Sequence, residues 1–224
     1  MAGAGFCYTL NMSKRTYHQY CPLAYGLDVI GERWTLLVVR ELLYGPRRYT
    51  DILNGLPGIG TNLLAKRLRD LEQAGIVRQR TLPPPASSTV YELTEHGHGL
   101  EEAIRALARW GAVYRRVPPP QEDFMGPVPA MHAFTMLFNP AAAAGLDVTC
   151  EVHAGMDVFF VAVRDGVLDV RPGPAQQPDI VISGEPKSIV QAMAGPSPNG
   201  GITLEAGDEA ALGRFVSAFV FSAS

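Results

Sequence analysis

Cysteine is scarce in this 224-residue chain. Cys7, Cys21 and Cys150 lie far apart, which excludes both a disulfide framework and a thiolate zinc cluster. That usage predicts a cytoplasmic protein in a reducing compartment. Long apolar runs are missing too: none reaches the roughly 18 residues that a bilayer-spanning helix needs, so no membrane partner is expected. The N-terminal MAGAGFCYTLNM is mildly apolar but has no basic leader, and Met12, followed by Ser13-Lys14-Arg15, would serve equally well as a start. Histidine is limited to five scattered residues, His18, His96, His98, His132 and His153. His96 and His98 stand two apart on an expected helix and so do not share a face, which argues against a metal site. No Gly-rich phosphate loop and no nucleophile elbow occurs. Catalysis, cofactors and metals are therefore not expected.

What is present is a globular composition, 47% apolar and 18% charged, in a chain long enough for two domains. The charge is unevenly spread. Residues 1–116 hold 15 of the 19 Lys and Arg and 10 of the 22 Asp and Glu, a net of +5, whereas residues 117–224 hold 4 and 12, a net of −8. A polyanionic partner for the first half would account for this, and so would two domains of merely unlike composition. Between them, residues 117–129 carry Pro118-Pro119-Pro120 and Gly126-Pro127-Val128-Pro129, a proline density that predicts an extended linker. The expected domains are thus 1–116 and 130–224.

The first half reads as helix, turn, helix, hairpin, helix. Cys21 and Pro22 open a helix over 23–30, and a second spans 34–43. Arg47-Arg48-Tyr49 reads as a short strand, and Thr50 caps a helix with Ile52, Leu53 and Leu56 facing inward. After the turn at 56–60, Thr61 opens a helix that runs to Ala74 and stops at Gly75. Strands at 76–82 and 89–93 flank an uncharged loop, 83–88, and Thr94 caps a long helix over 95–116. This is the order of a winged helix-turn-helix.

On the helix 61–74, a step of 100° per residue puts Leu64, Leu68 and Leu71 on one side. Asn62, Ala65, Lys66, Arg69 and Gln73 fall opposite, with Thr61 at the N-terminal end. Such donors suit base edges and phosphates, although a plain solvated helix would use the same residue types. The surroundings favour double-stranded DNA. Arg78 and Arg80 alternate on the strand that leads to the hairpin tip, and Arg47 and Arg48 precede the helix pair. Asp70 and Glu72 dilute the charge but lie off the Asn62/Lys66/Arg69 line. Ser87 and Ser88 are the polar residues of the tip, whose grip should be weak.

Several short segments carry a specific resemblance. Cys21-Pro22-Leu23, Gly31-Glu32-Arg33-Trp34-Thr35-Leu36-Leu37, Arg40-Glu41-Leu42-Leu43 and Gly45-Pro46-Arg47-Arg48-Tyr49 are similar to the HxlR family of MarR-like winged-helix regulators. So are Leu64-Ala65-Lys66-Arg67-Leu68-Arg69-Asp70-Leu71, Glu72-Gln73-Ala74-Gly75-Ile76-Val77, Tyr91-Glu92-Leu93-Thr94 and Trp110-Gly111. The resemblance implies a bacterial transcriptional regulator, a homodimer paired through its first and last helices, with two recognition helices set into successive major grooves of an operator. Trp34 and Trp110 then read as core or dimer packing. The resemblance also implies a redox role for Cys21 in some members. A helix N-terminus presents the positive end of the macrodipole to sulfur, and Lys14, Arg15 and His18 are near in sequence. A small capping residue with no redox task would look the same. Cys7 is a conceivable resolving partner, and Cys150 reads as inert filler.

In the second half, 131–138 reads as a strand and Asn139-Pro140 caps an alanine-rich turn. Strands follow at 148–153 and 158–164, with Phe159, Val161 and Val163 on one face and Phe160 and Ala162 on the other. Asp165-Gly166 signals a tight hairpin to 167–171. A strand at 180–183, a helix from Glu185-Pro186 to Ala194, a strand at 202–206 and a helix from Asp208 to about Phe219 complete it. This order, with the Gly184-Glu185-Pro186 and Gly207-Asp208-Glu209 junctions, resembles the sterol-carrier-protein type of lipid-binding domain over about residues 131–221. The resemblance implies an apolar tunnel for a small-molecule effector. Its candidate lining is Phe134, Met136, Phe138, Phe159, Val161, Ile182, Ile189, Met193, Phe215 and Phe219, residues that an ordinary core would also use. The expected fold class is therefore α+β: an N-terminal winged helix-turn-helix, then an α/β sterol-carrier-like domain whose mostly antiparallel sheet is covered by helices. A lipid-carrier module with little DNA activity is the alternative from another class.

Overall fold

A computed structural model describes residues 16–84, 87–114, 123–194 and 201–219. They fall into two units, 1–104 and 105–224. The Pro-rich residues 117–122 lie outside the described ones.

In the first unit, α1 (Pro22–Ile30) starts at Pro22, whose missing N–H and fixed φ suit the first helical position. Next come α2 (Thr35–Glu41), α3 (Tyr49–Gly55) and α4 (Thr61–Gln73), then the hairpin β1 (Val77–Thr81) and β2 (Thr89–Leu93), which pair antiparallel from Val77 opposite Leu93 to Thr81 opposite Thr89. Val38, Val39, Leu42, Ile52, Leu56, Leu64, Leu68 and Leu71 form the core with Ile76 and Val77 from the hairpin. The end of α4 is fixed locally. Gly75 takes φ 68°, and Ile76 N donates to Leu71 O at 2.9 Å, a Schellman closure that turns the chain straight into β1. Thr94 Oγ1 donates to Gly75 O at 2.6 Å and accepts from Gly97 N at 3.1 Å, which stitches the return strand to the end of α4 and caps α5 (Glu95–His98).

Four sequence expectations change here. Trp34 stands before α2 rather than in it, with a left-handed φ of 77°. Arg47 makes a single bridge, to Tyr91, and Arg48 already precedes α3, so 47–49 is not a strand. Thr50 lies inside α3, because Asp51 is the residue that reaches back to the Arg48 N–H, at 3.2 Å. The helix expected over 95–116 breaks between α5 and α6 (Glu101–Gly111) and passes into a 3-10 turn, Ala112–Tyr114; residues 115 and 116 lie outside the described ones. Glycines at 97 and 99 weaken it. Gly97 is needed for close approach, since a Cβ there would sit 2.2 Å from Ile76 O.

In the second unit, a five-stranded sheet has the order β5-β4-β3-β6-β7. Its strands are β3 (Asp147–Ala154), β4 (Asp157–Arg164), β5 (Val167–Pro172), β6 (Ile180–Gly184) and β7 (Ile202–Ala206). Only β3 and β6 pair parallel, so the sheet is mostly antiparallel, as expected. Asp165 and Gly166 adopt φ of 44° and 78°, the left-handed pair that a two-residue hairpin requires. Val148, Cys150 and Val152 register with Val163, Val161 and Phe159, and with Ile180 and Ile182 they form one apolar face. Helices α8 (Pro186–Ala194) and α9 (Glu209–Ser217) pack on it.

The expected strand at 131–138 is instead part of a helix, α7 (Pro127–Leu137). Gly126 and Pro127, assigned to the linker, are its N-cap and first residue. The run Met131 to Phe138 is apolar at nearly every position, so period two and period 3.6 fit it equally. Burial of Val128, Met131, Phe134 and Leu137 settles it as helical, and α7 packs on α8. Phe138 ends the helix in extended geometry and bridges Phe219.

Candidate nucleic-acid interface

Helix α4 is amphipathic as its sequence predicts. Leu64, Leu68 and Leu71 are buried, while Thr61, Asn62, Lys66, Arg69 and Gln73 are exposed. Its N-terminus is set by Tyr49, whose hydroxyl donates to Thr61 O at 2.7 Å. Its depth is set by Arg67, which sequence reasoning passed over. Arg67 is buried, and its Nε donates to Arg33 O at 3.1 Å, its Nη2 to Glu32 at 2.9 Å and its Nη1 to Asp70 at 3.3 Å. One planar guanidinium thus ties the helix to the turn where Trp34 is left-handed. The signal was present: Arg67 lies three residues after Leu64 and four before Leu71, on the inner side.

The cations on the outer side are not equivalent. Lys66 Nζ pairs with Asp70 at 2.7 Å, one turn on, so Asp70 meets Lys66 and Arg67 together. Arg69 has no ion pair among the described residues. It lies near Tyr91, whose hydroxyl is pushed up by burial and by Glu72, with Arg69 opposing. Arg47 exchanges two backbone bonds with Tyr91, at 2.9 and 2.8 Å, which places it beside the hairpin, and Arg48 is exposed. On the hairpin, Arg78 and Arg80 both donate through Nε to Glu92, at 2.7 and 2.9 Å. Burial works against the Glu92 carboxylate, yet these two donors hold it below the ordinary carboxylate range. Ser87 is exposed with φ 35°, whereas Ser88 Oγ is buried without a hydrogen-bond partner among the described residues.

The ten apolar candidates of the second unit lie in its interior. Phe134, Phe159, Val161, Ile182, Ile189, Met193, Phe215 and Phe219 are buried, and Met136 and Phe138 are half-buried. Phe134 and Phe215 each lie against Phe219, at ring-centroid distances of 5.1 and 5.0 Å, and Phe138 joins at 5.9 Å. Cys21 is half-buried at the N-cap of α1, with its carbonyl accepting from Tyr25 N at 3.0 Å. Cys7, Lys14 and Arg15 lie outside the described residues. Burial pushes the Cys150 thiol well up, and Glu151 adds to it, so this cysteine stays protonated. Among the described residues no cluster of three or more metal-ligating side chains occurs, and no helix is long and apolar enough to cross a membrane.

An exposed polar helix, braced by a helix behind it and followed by a two-stranded hairpin with cations on its first strand, defines a DNA-binding protein of the winged helix-turn-helix class. Residues 29–118 match the HxlR-like helix-turn-helix family. The chain belongs to that family and is a transcriptional regulator of its type. It is similar to the HTH-type transcriptional regulator sll1512 of Synechocystis, with 35% identity over 92 residues, covering 41% of this chain and 68% of that one. It is likewise similar to YodB of Bacillus subtilis, with 34% identity over 91 residues, covering 40% and 81%. Among solved structures, the redox regulator HypR in its oxidized form shares 31% identity over 43% of this chain and 99% of that one, at a TM-score of 0.40. These relatives are named as regulators, in keeping with the expectation that the chain is not an enzyme.

Proposed function

We propose that the protein is a dimeric, sequence-specific regulator that sets α4 into the major groove of an operator. Arg47, Arg48, Arg78 and Arg80 take the flanking phosphates, with Thr61, Asn62, Lys66 and Arg69 at the groove and Ser87 at the tip. The observation that carries this reading is the division of α4: three leucines fix it to the core while amide and cationic groups face outward. Dimerisation has support from large apolar side chains left exposed on α1 and α6. Leu23 is 71% exposed on α1 and Trp110 63% exposed on α6, large apolar surfaces that a second copy would cover. The test is electrophoretic titration of the full chain against fragments of its own upstream DNA. Retention of a discrete complex in the presence of excess competitor DNA supports the reading, and indifference to sequence removes the word specific.

The second unit is the sterol-carrier-like part of this proposal, a module for an apolar effector. Its support is the helix-covered, mostly antiparallel sheet and the aromatic group around Phe219. The rings already pack on one another, so an effector must displace some of them. It alters DNA affinity only by binding one of two conformations better. Titration with fatty acids, sterols and aromatic metabolites, read as a change in operator affinity, tests it, and an unchanged affinity throughout rejects it. A thiol switch is the second reading, favoured by the half-buried Cys21 at the start of α1 and by the redox role named for HypR. Cys21→Ser should abolish any response of operator binding to peroxide or quinone. A response that survives the substitution excludes Cys21.

A further inference from the structure

The hairpin places three charged side chains on one face. Arg78 and Arg80 are two residues apart on β1 and so point the same way, and Glu92 on β2 sits directly opposite Arg78 in the register. The Glu92 side chain is only 12% exposed, whereas those of Arg78 and Arg80 are 65% and 46% exposed. Each carboxylate oxygen takes the Nε–H of one arginine. Among the described residues the Nη groups of both arginines have no other partner and remain available for a ligand. A bidentate end-on pair would have occupied those groups; bonding through Nε leaves them unspent.

We propose that Glu92 is a positioning residue that holds Arg78 and Arg80 as a paired fork for successive phosphates of duplex DNA. This rests on the DNA-binding reading above. The two guanidinium groups would repel each other and wander if left alone, and a carboxylate between them removes both tendencies before DNA arrives. Two positions along a strand separate the arginines by roughly 6.6 Å, a step of the same order as that between neighbouring phosphates. The wing's grip therefore lies on its first strand, and the uncharged tip contributes little.

A simple count of charge predicts the opposite role for Glu92, as a brake on polyanion binding, and this makes the proposal testable. The full chain is titrated with a short mixed-sequence duplex by fluorescence anisotropy, between about 50 and about 200 mM salt. Glu92→Gln should weaken binding roughly three- to tenfold. The slope of log Kd against log salt should not change, because both cations remain. Arg78→Lys with Arg80→Lys keeps the charge but removes the Nε–H, so it should weaken binding similarly, and adding Glu92→Gln to it should have little further effect. Glu92→Gln binding as tightly as the unaltered chain or more tightly overturns the proposal, as does a lysine pair that binds normally. Should the unaltered chain itself ignore the duplex at about 50 mM salt, the DNA-binding reading falls with it; normal binding and an indifferent Glu92→Gln remove only the role of Glu92.

Discussion

Arg67 and Arg69 stand two apart on α4 and do different work. Arg67 is buried with three acceptors around it, so Arg67→Ala removes the donors that tie α4 to the Arg33 carbonyl, Glu32 and Asp70 and empties the space that the side chain fills. We expect a loss of about 2 kcal/mol in stability, seen as a lower denaturation midpoint. Glu32 and Asp70 are partly exposed and can turn to water, which keeps the loss below that of a fully buried ion pair. Arg69→Ala should leave the midpoint unchanged, weaken duplex binding about tenfold and reduce the salt slope by about 1. Lys66→Ala should weaken binding less, since Lys66 must give up Asp70 to reach DNA. If Arg69→Ala unfolds the protein and Arg67→Ala does not, the faces of α4 are reversed. The outer residues were legible from the 100° step alone. The same step puts Arg67 on the inner side, but its bracing role was not legible, because its three acceptors, one of them 35 positions away, cannot be read from spacing.

At the scale of elements, the second unit carries its own acid sensitivity. Glu151 on β3 accepts from His153 Nε2 at 2.6 Å and from Ala175 N at 2.8 Å, tying the loop after β5 to the open side of the sheet. The His153 hydrogen bond, against some burial, holds the Glu151 carboxyl below the ordinary range. Its folded pKa is below its unfolded one, so its contribution to stability is full above about pH 4.3 and is lost as pH falls through the folded value. Glu151→Gln should lower the melting temperature near neutrality and flatten the acid limb of a plot of Tm against pH. A variant whose acid limb matches that of the unaltered chain assigns the acid sensitivity elsewhere. Phe134→Ala on α7 should cost about 3–5 kcal/mol, because Phe134 is buried against Phe215 and Phe219. The strands and hairpins of this unit were readable from alternation and from Asp165-Gly166, whereas α7 was not. Its apolar run has no dominant period, and Gly126-Pro127, which opens a helix here, serves a linker equally well in sequence.

For the whole molecule, the two halves are expected to divide the labour between operator and effector, and the exposed apolar groups on α1 and α6 to be covered by a second copy. Replacing Trp110 by Glu should convert a dimer to a monomer in sedimentation equilibrium and weaken operator binding with it, since each protomer then reaches one half-site. A variant that stays dimeric places the interface elsewhere. The residues 21–111 that resemble the family made the fold and the recognition helix of this half legible from sequence. The second half offered only an order of elements, one of which was misassigned, and no sequence motif there names a ligand.

Hydroxyl-radical footprinting of the protein on its own upstream DNA bears most directly on the central claim. Two protected stretches are expected on the same face of the duplex, centred roughly 34–36 Å apart, and Arg69→Ala should require about tenfold more protein to produce both. An unprotected duplex in dilute buffer, or protection by Arg69→Ala at the same protein concentration as the unaltered chain, would contradict the placement of α4 in the groove.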